Sequence, residues 1–137
     1  MAEGIIDLTV VTPERAVVRE QVEELEIPGY AGYFGVLPGH APLFSELRVG
    51  ELGYKKGGRW YFVMVAWGFA EVLPNQVRIL AETAVRAQEI DLARATRAKE
   101  RAEARISKGG DIDYERARIA LERAIVRLQV SQKAHPG

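Results

Sequence analysis

The sequence predicts a β + α chain: an N-terminal antiparallel β-sandwich over residues 1–86, then a C-terminal antiparallel two-helix hairpin over residues 87–137. Three observations carry this. Up to residue 80, short runs rich in Val, Ile, Tyr and Phe alternate with Gly and Pro, the strand-and-turn rhythm of a sandwich or barrel. From residue 87, Ala, Arg, Glu and Lys dominate, and proline is absent until Pro136. Gly109-Gly110 breaks that helical stretch near its middle.

The elements follow in order. Residues 5–11 alternate partly, with Ile6, Leu8 and Val10 on one side and Asp7 and Thr9 on the other. Residues 17–27 hold one or two strands. Residues 47–54 form a strand after the Pro42 turn. Lys55-Lys56-Gly57-Gly58 is a hairpin turn, and residues 59–66 return from it. Residues 67–73 and 77–80 flank a second tight turn at Pro74-Asn75. In the second helix Tyr114, Ala117, Leu121, Ala124 and Leu128 step by three and four, a seam for a partner helix. Ala95, Ala98, Ala102 and Ile106 give the first helix a thinner stripe. At roughly 25 cal/mol per Å² of apolar area, an alanine seam holds less firmly than a leucine one. The hairpin is therefore expected to be marginal alone and able to detach.

Each helix start repeats one pattern, Ile-Asp-x-x-Arg-Ala, at 90–95 and again at 112–117. Asp91 and Asp113 suit N-caps, whose carboxylates accept orphan backbone N–H groups at the positive end of the helix dipole. Ile90 and Ile112 precede the caps as hydrophobic staples for Ala95 and Ala117.

Composition narrows the function. The 137 residues are 47% hydrophobic and 28% charged, enough for a core and unlike a disordered chain. There is no cysteine, which removes disulfides, thiolate metal sites and cysteine nucleophiles. The net charge is zero, but residues 1–80 carry seven basic and ten acidic groups, and residues 81–137 carry twelve and nine. A solvated helical face accounts for that small basic excess without nucleic acid. The longest apolar runs fall well short of the ~20 residues of a membrane span. The first residues lack the basic and apolar regions of a secretory signal. Membrane association is expected only through a partner.

No catalytic constellation emerges. The histidines are His40 and His135, and no His/carboxylate cluster has metal spacing. There is no Gly-x-Ser-x-Gly elbow and no P-loop. Glu23, Glu24 and Glu26 read as a solvated strand face. Nothing assembles a nucleophile, a base and an oxyanion donor, so the chain is expected not to be an enzyme by itself, and to need no cofactor. Residues 29–43 stand out with four glycines, two prolines and three aromatics besides His40. Glycines and prolines there set turns; an apolar loop on a rigid sandwich also makes a docking surface.

Within that stretch, Gly35-Val36-Leu37-Pro38-Gly39-His40-Ala41-Pro42-Leu43 resembles the Gly-x-Leu-Pro-Gly-His-x-Pro-Leu signature of the epsilon subunits of F-type ATP synthases. Val10-Val11-Thr12-Pro13-Glu14 resembles that family's first strand and turn. Trp67-Gly68-Phe69-Ala70-Glu71-Val72 and Val77-Arg78-Ile79-Leu80-Ala81 resemble its last sandwich strands, and the Ala/Arg hairpin completes the likeness. The resemblance implies a ten-stranded sandwich and a two-helix hairpin on the foot of the central stalk. It implies a non-catalytic rotor subunit, peripheral at the cytoplasmic face of the bacterial plasma membrane. Its sandwich would bind the gamma subunit and rest on the c-subunit ring through residues such as Tyr33, Phe34 and His40. Its hairpin would lie on the sandwich or extend toward the alpha/beta hexamer and inhibit ATP hydrolysis.

Some bacterial members use this motif as a regulatory ATP site. The resemblance carries that role to Ile90, Asp91, Arg94 and Ala95, with Arg101, Arg123 and Arg127 as the arginines. Three guanidinium groups suit a triphosphate, and Arg123 and Arg127 share a helix face at i, i+4. Two positions depart from the family: Val85 stands where ATP-binding members carry Glu, and Tyr33 where many carry an acidic residue facing the ring. The rival reading is a free-standing nucleotide or nucleic-acid binding module with a basic helical tail.

Overall fold

Residues 4–108 and 114–134 are described in a computed structural model of the chain. Eight strands come first: β1 (Ile6–Val11), β2 (Ala16–Val22), β3 (Glu24–Gly29), β4 (Gly32–Val36), β5 (Leu43–Leu47), β6 (Gly50–Lys56), β7 (Arg59–Leu73) and β8 (Gln76–Arg86). A 3-10 turn at Ala87–Glu89 leads into α1 (Leu92–Ser107) and α2 (Tyr114–Ser131).

The two long strands make the sandwich. β8 pairs with β7 from Val63↔Arg86 to Leu73↔Gln76, but the ladder skips the step between Ala66↔Thr83 and Gly68↔Ala81. There Trp67 takes φ 57 and Gly68 φ 132, and the ribbon turns a corner. Beyond the corner one layer runs β2-β1-β8-β7-β5; before it the other runs β8-β7-β6-β3-β4. Counting each half of β7 and β8 separately gives the ten strands of the expected sandwich. The pairing is antiparallel except for β1 with β8, which is parallel.

Alternation fills the space between the layers. Ile6, Leu8, Val10, Val72, Val77 and Ile79 face Leu25, Ile27, Leu52, Val63 and Val65 in one buried cluster. The turn at Gly57-Gly58 has φ 59 and 78, the paired positive values of a type I′ hairpin that glycine adopts without strain. A second, smaller cluster lies outside the second layer. Val49, Met64, Ala66 and Ala87 are covered there by Val130, with Val126, Ile90, Trp67 and Ala134 packed around them. The hairpin thus lies folded against the sandwich.

The expected elements change in four places. The 47–54 strand is two strands, because Leu47 ends β5 and Gly50 begins β6. Residues 29–43 are not one loop: β4 runs through them and pairs with β3 from Leu25↔Val36 to Gly29↔Gly32. Tyr114 is exposed rather than in the seam, whose buried members are Ala95, Ala102, Ala117 and Ala124. Ile90 packs on the outer cluster of the sandwich, so the staple ties the hairpin to the β-layer. The Gly109-Gly110 break, the Ile112-Asp113 cap and His135 lie outside the described residues.

Candidate functional site

The start of α1 is built as its sequence requires. Asp91 has extended backbone, φ −78 and ψ 103, and its side chain accepts the Arg94 N–H at 3.1 Å. This fixes the first turn where three chain segments meet: the end of β8, α1 and α2. A cleft of about 240 Å³ opens there, lined by Val85, Glu89, Ile90, Asp91, Arg94, Ala95, Ala98 and Arg127. Four motif residues and one arginine of the opposite helix therefore share one wall.

Arg127 meets two other guanidinium charges at the cleft. Burial, then the positive charges of Arg123 and Arg94, push the Arg127 guanidinium below its ordinary value. The Arg123 Nε is buried and makes no hydrogen bond. Leaving a buried N–H of a charged group unpaired costs about 1–3 kcal/mol, although Arg123 itself does not line the cleft. Glu89, on the cleft wall, is paired with Arg15 at 3.2 Å. Arg101 does not line the cleft; it lies exposed nearly two turns farther along α1. Val85 adds an apolar wall.

The residues expected to dock do not gather on one face. Tyr33 and His40 lie toward opposite ends of β4, one near its start and the other four residues past its end. The Tyr33 ring is 60% exposed, while its hydroxyl accepts the Glu51 backbone N–H at 2.8 Å. Phe34 turns inward and packs on the main core. Gly29 leaves room for it, since a Cβ there would stand 2.9 Å from the Phe34 ring. His40 Nδ1 is 2.6 Å from the Ala41 carbonyl oxygen, so its ring serves its own turn. That turn is held to the β7–β8 hairpin by Gly39 N–H donating to Pro74 O at 2.7 Å.

An exposed apolar patch lies elsewhere. On the outer surface of the first layer Phe44 and Phe69 stack, with ring centroids 5.3 Å apart, although Phe44 is 66% exposed and Leu80 53%. Beside them an apolar groove of about 380 Å³ runs past Val11, Pro13 and Gly68. A contiguous exposed apolar patch marks an interaction surface. Phe44, Phe69 and Leu80 escape a reading of the sequence because each is a single apolar residue on the outward phase of its own strand. Only the pairings Phe69↔Leu80 and Phe44↔Glu71 bring them together.

The faces on offer suit binding rather than bond-breaking. No His, Asp and Glu group among the described residues could hold a metal ion, and no described helix is long and apolar enough to cross a membrane. A β-sandwich carrying a folded-back helical hairpin defines the fold class.

The chain belongs to the ATP synthase delta/epsilon chain family, whose β-sandwich domain matches residues 5–87 and whose long α-helix domain matches residues 88–132. It is 46% identical over 133 residues to the ATP synthase epsilon chain of Nitratidesulfovibrio vulgaris (strain DP4), covering 96% of this chain and 99% of the relative. It is 49% identical over 134 residues to that of Syntrophobacter fumaroxidans, covering 97% and 99%. Among solved structures, a chain of the Euglena gracilis mitochondrial ATP synthase OSCP/F1/c-ring assembly matches with TM-score 0.81 at 28% identity, over 94% of this chain and 82% of that one.

Proposed function

We propose that this chain is a rotor subunit of a proton-translocating ATP synthase, whose sandwich couples it to the central stalk and whose hairpin inhibits ATP hydrolysis when it swings away. The supporting observation is the construction of the hairpin's resting place. The two helices meet through alanines, and α2 rests on the sandwich through a small cluster around Val130. Such a contact is weak enough to open. In this reading the gamma subunit covers the Phe44–Phe69–Leu80 patch, and the turn around His40 meets the c-subunit ring. The extended hairpin reaches the alpha/beta hexamer. The chain is then held at the cytoplasmic face of the bacterial plasma membrane through the complex, with no nucleic-acid partner.

ATP is the regulatory ligand in this reading. Arg94 and Arg127 line the cleft, and Arg123 acts on Arg127 through its charge, so polyphosphate binding relieves crowding among three guanidinium groups brought together when the hairpin is closed. ATP then stabilises the folded hairpin and lowers the inhibited population. The cleft is smaller than the ~300–1,000 Å³ of typical ligand pockets, so it holds only part of a nucleotide.

The test is ATP hydrolysis by the reconstituted complex carrying either the full chain or a chain ending at Gln88. Faster hydrolysis with the truncated chain is expected. Equal rates would remove the inhibitory role and leave only the docking role.

A further inference from the structure

Glu51 is held from two sides. Its carboxylate lies 2.6 Å from Lys133 Nζ just past the end of α2, and that ammonium also sits 4.7 Å from the centroid of the Phe62 ring. The Glu51 side chain is mostly buried, so this ion pair is less screened than an open surface pair.

Its backbone is held by Tyr33. β6 pairs with β3 only as far as Glu26↔Gly53. Two residues on, the ladder would bring Glu51 to Pro28, whose carbonyl already accepts the Arg48 N–H at 3.1 Å. The Tyr33 hydroxyl supplies the missing acceptor, at 2.8 Å from the Glu51 nitrogen. Gly50 lets it reach: a Cβ there would stand 2.7 Å from the Tyr33 oxygen and 2.5 Å from Pro28 Cβ. The Tyr33 ring, meanwhile, is open to a partner.

We propose that Glu51 couples the two ends of this chain of contacts: a protein partner that displaces the Tyr33 ring takes the acceptor from the Glu51 N–H at the edge of the β6–β7 ladder, misaligns the Glu51 carboxylate and releases Lys133, so that α2 leaves the sandwich. This rests on the detachable-hairpin reading and names the contact through which docking reaches the hairpin. Tyr33 and Glu51 are positioning residues in it, and Lys133 is the clasp.

The chain has no cysteine, so Val130→Cys, at a fully buried position under α2, reports undocking of the isolated full-length chain through its rate of thiol alkylation. Ala134→Cys serves as a second reporter should Val130→Cys disturb the cluster, and circular dichroism checks that the sandwich is intact. Lys133→Gln and Glu51→Gln should each raise the alkylation rate about fivefold, from loss of an ion pair and a cation–π contact. Lys133→Arg should stay within about twofold of the parent, because it keeps both contacts. Tyr33→Phe should raise the rate about threefold, and in the Lys133→Gln background it should add nothing, the signature of coupled sites. An unchanged rate in Tyr33→Phe or Lys133→Gln, or effects that multiply in the double variant, overturns the coupling. The assay needs no ATP hydrolysis, so such a failure leaves hairpin inhibition to be judged by the complex alone.

Discussion

Gly68 and Leu80 approach so closely that a Cβ on Gly68 would stand 1.9 Å from the Leu80 carbonyl oxygen. With φ 132 at Gly68, this contact is the corner at which β7 and β8 pass from one layer to the other. Neither the clash nor the dihedral can be relieved without unbending the ribbon. Gly68→Ala should destabilise the sandwich by about 3 kcal/mol or more, combining strained backbone with overpacking. Urea unfolding followed by circular dichroism measures it; a loss below about 1 kcal/mol would mean the corner is pliable.

The exposed Phe44–Phe69 stack has no structural burden that its removal would expose. Phe44→Ala with Leu80→Asp should leave the sandwich folded, with a melting temperature close to the parent's, and weaken binding to purified gamma subunit about thirtyfold or more, the scale of a central aromatic anchor. Isothermal titration reads the affinity. Undiminished binding would move the gamma-binding face elsewhere on the sandwich.

The hairpin should be dispensable for the sandwich fold, provided the cut respects β8. Arg86 ends β8 and its Nε donates to the Val17 carbonyl at 2.9 Å. A chain ending at Gln88 should therefore fold with native strand content and bind gamma, although it uncovers Met64 and Ala66. A chain ending at Val85 loses the Arg86 bond and should be about 1 kcal/mol less stable than the Gln88 fragment. Thermal melts of the two fragments give the comparison. An unfolded Gln88 fragment would make the chain one cooperative unit.

Arginine crowding gives opposite effects with and without ligand. Without ATP, the double variant Arg123→Ala/Arg127→Ala removes two partly buried charges that repel Arg94, and the hairpin should melt no earlier than in the parent. With ATP at a hundredfold excess over Kd, the parent should gain about 2.7 kcal/mol and the variant nothing. Asp91→Ala removes the cap and should cost about 1 kcal/mol without ATP. Equal ATP responses in parent and double variant would leave the cleft a packing feature. Arg101→Ala should retain the ATP response, because Arg101 lies off the cleft wall.

Much of the fold was legible because periodicity reports burial on one face. Ile6, Leu8 and Val10 alternate and are buried in turn; Ala95, Ala102, Ala117 and Ala124 recur at helical spacing and form the seam. Asp91 was legible as a cap because its type and place satisfy purely local geometry. β4 was not: Gly32-Tyr33-Phe34-Gly35-Val36 has the glycines of a loop, and only its ladder with β3 makes it a strand. Tyr33 and Phe34 read alike as exposed aromatics, yet one reaches past β3 to bond β6 and the other packs on the core.

By itself the sequence determined what depends on near neighbours along the chain: strands then helices, the Gly57-Gly58 turn, the Asp91 cap, an alanine seam, and the signature around His40. The tertiary structure decided what depends on register and on the corner at Gly68. It set Phe44, Phe69 and Leu80 from three strands on one surface, brought Arg94 and Arg127 from two helices into one cleft, and placed Lys133 over Phe62 beside Glu51. These groups lie as much as 82 residues apart in the chain. The reason is physical: a periodic pattern says which side of an element is buried, but not which element lies beside it.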